Sequence, residues 1–117
     1  MLLQFWPQVF QKRIDGSVDF YRNWQNYKLG FGDVNAEHWL GNDKLHELTS
    51  LHSRNEMRVD LEAVDNEKKQ ATYSNFKVGD EAVKYVLTIT GYSGNAGKTL
   101  TRIKIKINLA FWQVLGF

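Results

Sequence analysis

Between Glu56 and Ala63 apolar and polar residues alternate without a break: Met57, Val59, Leu61 and Ala63 stand against Glu56, Arg58, Asp60 and Glu62. A period of two puts successive side chains on opposite faces of an extended chain, so this stretch predicts a strand with one buried and one wet face. Asp65-Asn66-Glu67 reads as a turn. Ala71 and Tyr73, then Phe76 and Val78, predict the returning strand of a hairpin, with a break of phase at Ser74-Asn75. After a turn at Gly79-Asp80, Lys84 to Thr90 predicts a third strand that places Tyr85, Leu87 and Ile89 on one face. Val9 to Arg13 predicts a short strand before all of these. Near the end, Ile103, Ile105, Ile107 and Leu109 alternate with Arg102, Lys104, Lys106 and Asn108, which suits one further strand able to pair with an open sheet edge.

The stretch from Asp15 to Ser50 departs from this period. Asn23 is a good N-cap, Trp24, Tyr27 and Lys28 continue a short helix, and Gly30 then Gly32 end it. Asn42 is a second N-cap candidate, and Leu45 and Leu48, three apart, give the helix running to Ser50 one apolar face. Trp39 and Leu40 precede it and anchor its start to the core. Together the patterns predict an α+β domain in which Trp24, Tyr27, Trp39, Leu45 and Leu48 pack against an antiparallel sheet faced by Val59, Leu61, Tyr73, Phe76, Leu87 and Ile89.

Composition narrows the class. A chain of 117 residues that is 43% hydrophobic and 14% aromatic is one domain with enough apolar material for a core. Its 15 basic and 13 acidic residues leave a net charge of only +2, spread along the chain, so nucleic acid is not implied. Met1 to Phe10 lacks both the charged start and the continuous apolar run of a signal peptide. No run of eighteen apolar residues is present, so no transmembrane helix is expected. Cysteine is absent, which excludes a disulfide framework and by itself permits a reducing compartment.

Four constellations invite a chemical reading. Gly91 to Thr99, GYSGNAGKT, follows a predicted strand as a phosphate-binding loop would. That loop needs four residues between its first glycine and Gly-Lys-Thr, with a helix behind; here five residues separate Gly91 from Gly97, two separate Gly94 from it, and Thr101 to Leu109 has the period of a strand. His38, His46 and His52 lack the i, i+4 spacing of a helical zinc pair and have no cysteine beside them, so no metal site is expected. Asp60, Glu62, Asp65 and Asn66 lack the order of an EF-hand, and the alternation makes Asp60 and Glu62 a solvated strand face. The serines sit in no G-x-S-x-G frame, since Gly91 and Gly94 around Tyr92-Ser93 are three apart. No catalytic, metal or cofactor residue is assigned.

A resemblance adds to this reading. Val9-Phe10-Gln11-Lys12-Arg13, Asp15-Gly16-Ser17-Val18-Asp19-Phe20-Tyr21-Arg22, Trp24, Tyr27-Lys28, Gly30-Phe31-Gly32 and Trp39-Leu40-Gly41-Asn42-Asp43 with His46 and Leu48-Thr49 resemble the fibrinogen C-terminal-like domain, the family of ficolins, tenascin and angiopoietin ends and invertebrate fibrinogen-related lectins. The likeness continues through Met57-Arg58-Val59-Asp60-Leu61, Tyr73, Phe76-Lys77-Val78-Gly79, Tyr85 and Leu87 to Gly91-Tyr92-Ser93-Gly94-Asn95-Ala96-Gly97. It implies a partial domain over residues 9–97, its amino-terminal and central part, with divergent ends at 1–8 and 98–117. It also implies a noncatalytic, extracellular, lectin-like recognition module of the secreted innate-immunity or matrix type, whose partner is a glycan or a protein receptor.

In such relatives the calcium loop and ligand pocket follow the position of Gly97, where this chain has Lys98-Thr99-Leu100-Thr101 instead. The resemblance therefore implies truncation after Gly97 with the calcium and ligand subdomain missing, and assigns no ligand-binding residue. Family domains carry disulfides outside the matched region, so the absence of cysteine fits truncation as well as it fits a reducing compartment. The alternative reading is a nucleotide-binding enzyme using Gly91 to Thr99. Neither reading fixes an oligomeric state.

Overall fold

A computed structural model describes residues 2–51, 54–63, 66–95 and 103–115. The elements in chain order are β1 (Leu2–Arg13), α1 (Trp24–Leu29), β2 (Phe31–Gly32), β3 (His38–Trp39), α2 (Asn42–Leu51), β4 (Arg54–Ala63), β5 (Lys68–Val78), a 3-10 turn (Glu81–Val83), β6 (Leu87–Gly94) and β7 (Ile103–Leu115). All strands join one sheet in the order β2-β3-β1-β7-β4-β5-β6, and every pairing is antiparallel. The chain is thus α+β, with two helices and an antiparallel sheet.

Helix α1 forms as its caps predict. The Asn23 side chain accepts the Asn26 N–H, and Gly30, at φ 94°, donates its N–H back to the Asn26 carbonyl. Helix α2 starts differently. The Gly41 carbonyl accepts from Leu45 N, while the Asn42 side chain accepts the Trp39 indole N–H at 3.0 Å. Asn42 therefore ties the helix to Trp39 and does not cap it. The two helix boundaries touch through backbone alone: a Cβ on Gly30 would lie 2.4 Å from the Leu40 carbonyl oxygen, and one on Gly41 would lie 2.8 Å from that of Leu29. Only glycine permits this approach.

The core consists of Phe10, Leu45, Phe76 and Val78, with Trp39, Leu40, Leu48, Met57, Tyr85 and Ile89 packed around it. Phe10 marks a bulge, because the β1–β7 register slips between Val9 and Gln11. Its ring stacks on Phe76 at 5.7 Å although β7 and β4 lie between their strands. Neighbouring strands run about 4.8 Å apart, so a flat sheet cannot bring these rings together and this one curls around α2. The bulge leaves no carbonyl idle: Leu40 N–H binds Phe10 O at 2.8 Å, and the His38 ring lies 3.3 Å from Val9 O.

The β4–β5 hairpin carries the predicted turn, with Asn66 at φ 69° and its N–H bound to Ala63 O; Asp65 lies outside the described residues. The phase break is also present. Ser74 and Asn75 are both exposed, the β5–β6 ladder passes from Tyr73↔Tyr92 to Asn75↔Thr90, and Gly91 stands at φ 76° opposite Ser74.

Several expectations are corrected. Lys84 to Val86 are not strand: Asp80 caps the 3-10 turn, Lys84 and Tyr85 take positive φ, and β6 starts at Leu87. The strand also runs on past the predicted end at Thr90, through Gly91 to Gly94. Trp24 and Leu87, both expected in the core, are 51% and 54% exposed, because α1 is short and turns its tryptophan over the 3-10 turn while Leu87 lies on the sheet's outermost strand. Strand β1 is longer than Val9 to Arg13 and begins at Leu2. Finally, the strand of Ile103, Ile105, Ile107 and Leu109 occupies no edge. It lies centrally, pairing Ile107 with Gln11 on one side and with Val59 on the other.

Candidate functional site

Two clusters of polar side chains stand out. The first is built on Glu37, 1% exposed immediately before β3. Its carboxylate accepts four backbone N–H groups from the loop after β1: Ile14 at 2.6 Å, Asp15 at 2.7 Å and Gly16 at 2.8 Å on Oε2, and Val18 at 3.0 Å on Oε1. The Ile14 bond leads, with those of Val18, Gly16 and Asp15, in holding the carboxyl at about 2, against the upward push of burial. Glu37 fastens a loop and reaches no solvent, so it has no ligand to meet. Sequence reading missed it, since an acid after Asn35-Ala36 looks like any solvated loop residue.

The second cluster joins α1, α2 and the 3-10 turn at the surface. Lys28 Nζ lies 2.6 Å from Glu81 Oε1, and the Trp24 indole N–H donates to Glu81 Oε2 at 2.8 Å. The Lys28 bond, then that of Trp24, lowers the Glu81 carboxyl, and Glu81 in turn raises the Lys28 ammonium. Tyr85 packs its ring 5.5 Å from Trp24 and donates its hydroxyl to Asp43 Oδ1; burial first and the Asp43 bond second push its pKa well above the usual phenol range. Beside it, Lys84 and Tyr85 take left-handed backbone at φ 58° and 54°, a conformation costly for non-glycine residues. Around it lies apolar surface: Trp24, Val83, Val86 and Leu87 are each 51–56% exposed. Val83 and Val86 both lean over Gly79, where an added Cβ would meet them at 2.6 and 2.9 Å. Aromatic and aliphatic groups rimmed by Asp80, Glu81, Lys84 and Lys28 have the make-up of a contact surface.

The chemical candidates from the sequence do not converge. Gly91 to Gly94 lie in β6, with Tyr92 to Gly94 paired to Tyr73, Thr72 and Ala71, so this half of the glycine-rich stretch does not curl around a phosphate; residues 96–102 lie outside the described ones. His38 is buried on backbone carbonyls and His46 Nδ1 lies 2.9 Å from Val78 O, while His52 lies outside the described residues. Asp60 faces Arg58 at 2.9 Å. Among the described residues no group of three acids and histidines could hold a metal ion, and no helix is long and apolar enough to cross a membrane.

The fold is that of an α+β domain built on an antiparallel sheet. The model for the C-terminal globular domain of fibrinogen beta and gamma chains matches residues 5–112, and the chain belongs to that family. Ryncolin-4 of Cerberus rynchops is 50% identical over 94 residues, covering 80% of this chain and 27% of its own length. Fibrinogen-like protein A of Apostichopus parvimensis is 47% identical over 92 residues, covering 79% of this chain and 32% of its own. The chain thus spans about a third or less of these relatives.

Solved structures agree. The fibrinogen-like globe domain of human ANGPTL2 superposes with a TM-score of 0.76 at 40% identity, over 78% of this chain and 42% of that one. Lamprey fibrin D-dimer, complexed with the peptide Gly-His-Arg-Pro-amide, gives 0.71 at 40% identity over 77% and 29%.

Proposed function

We propose that the chain forms part of an extracellular, noncatalytic recognition module that engages glycans or protein receptors, of the innate-immunity or matrix type. The observation that carries this reading is the family match over residues 5–112, to which the peptide complex of the similar lamprey protein adds a ligand-bound relative. Residues 9–97 act as the scaffold of the domain, and the calcium loop and ligand pocket belong to positions that follow Gly97 in relatives. The chain itself supplies the curled sheet and helix pair against which such a pocket is seated. The nucleotide-enzyme alternative gains no support from Tyr92 to Gly94, which are held in a ladder.

Two titrations test the reading. On acetylated-sugar resin, with and without calcium, no retention is expected. Clear calcium-dependent retention by these 117 residues would place a pocket within them and overturn the scaffold role. With nucleotide and Mg²⁺, wild type and Lys98→Ala are expected to behave alike; an affinity lost in the variant would overturn the noncatalytic reading.

A further inference from the structure

Among the described residues, the open long edge of the sheet is β6. At the other end the sheet stops with the two-residue β2, too short to template another strand, but β6 runs from Leu87 to Gly94 with only Ile89 partly covered. Its outward N–H and C=O groups are those of a strand with one neighbour, β5. Edge strands of this length usually carry a lysine, a proline or an inward charge that discourages pairing. From Val86 to Gly94 the sequence is VLTITGYSG, with no charge and no proline. Val86, Leu87 and Tyr92 are 52–56% exposed along it, continuous with the apolar surface of Trp24 and Val83.

Among the described residues, the protection of this edge is a kink. Gly91 at φ 76° interrupts the ladder opposite Ser74, which leaves Leu87 to Thr90 as the straight segment.

We propose that β6 is a self-association edge, on which a second copy of this chain adds its own β6 antiparallel about a two-fold axis. Charge favours that occupant and that orientation. An isologous contact sets each residue against the copy's β6, so a neutral strand meets no like charge. Antiparallel pairing also sends the charged end, Asp80, Glu81 and Lys84, toward the uncharged Ser93-Gly94-Asn95 end of the copy; parallel pairing stacks like on like. The net charge of +2 opposes approach only weakly. A short straight edge flanked by a few half-exposed side chains buries less than the roughly 1,200 Å² of stable complexes, so the dimer is weak and concentration-dependent, with a dissociation constant in about the micromolar range or above.

Sedimentation velocity from about 1 to about 500 µM, paired with amide exchange, tests this. The expected result is a reversible monomer–dimer equilibrium, in which those amides of Leu87 to Thr90 that point away from β5 slow only as dimer forms. Leu87→Lys sets two like charges near the axis and is expected to weaken dimerisation at least about tenfold. Its unchanged thermal melt would show that the monomer still folds. Tyr21→Lys, at a tyrosine 96% exposed in the loop before α1, serves as control and should leave the equilibrium unchanged. A monomer at every concentration, growth past the dimer, or equal effects of the two substitutions would each overturn the proposal.

Discussion

Replacing Glu37 by glutamine tests the packing of the loop after β1. The carboxylate gathers four N–H donors and is held at about 2, against an ordinary 4.5. At about 1.4 kcal/mol per pKa unit, that depression corresponds to about 3 kcal/mol of native-state stabilisation. The Ile14 to Ser17 loop is mostly exposed and admits water as it opens, so we expect about 2 kcal/mol of this to be measurable. Because the folded value lies below the unfolded one, the contribution is fully present above about pH 4.5 and is lost as pH falls from there through about 2. Glutamine keeps the shape but turns an amide N–H₂ toward a backbone donor, and it does not titrate. Urea unfolding of wild type and Glu37→Gln between pH 7 and pH 3 should show a difference of about 2 kcal/mol that narrows steadily in acid. Other carboxylates are common to both proteins and cancel. A difference below about 0.5 kcal/mol at pH 7, or one of constant size across the range, would refute the reasoning.

Three further outcomes follow from the packing. Trp39→Ala removes a ring set edge-on to Phe10 at 5.7 Å and two indole bonds, to Tyr27 O and Asn42 Oδ1, and should cost about 3 kcal/mol in chemical unfolding; a loss below about 1 kcal/mol would place it outside the core. Gly30→Ala should destabilise by more than about 2 kcal/mol, since its Cβ meets the Leu40 carbonyl at 2.4 Å, whereas Gly16→Ala, at φ 77° but with open space around it, should cost only about 1 kcal/mol; thermal melts yielding equal losses would contradict this. Deleting Arg102 to Phe117 takes β7 from between β1 and β4, so cooperative unfolding should vanish; a deletion protein that melts like the wild type would show that the sheet does not depend on that strand.

Much of the architecture is legible in local pattern. Asn23 and Gly30 bracket a helix because a cap and a left-handed stop act within a few residues of the helix they bound. The alternation from Glu56 to Ala63 yields β4, and two adjacent polar residues at Ser74-Asn75 mark where β5 loses phase. The family, too, is carried by residue order. Tertiary structure decided the rest, and each case turns on partners far apart in the chain. Nothing near Glu37 announces that its carboxylate will meet N–H groups about twenty residues away. Period two in the tail predicts a strand yet cannot say that β1 and β4 will flank it, because side-chain alternation specifies faces and leaves neighbours open. Trp24 is apolar enough for any core, but its indole N–H needs an acceptor, and Glu81, brought alongside by the 3-10 turn, supplies one at the surface. The open β6 edge exists only once the strand order is set.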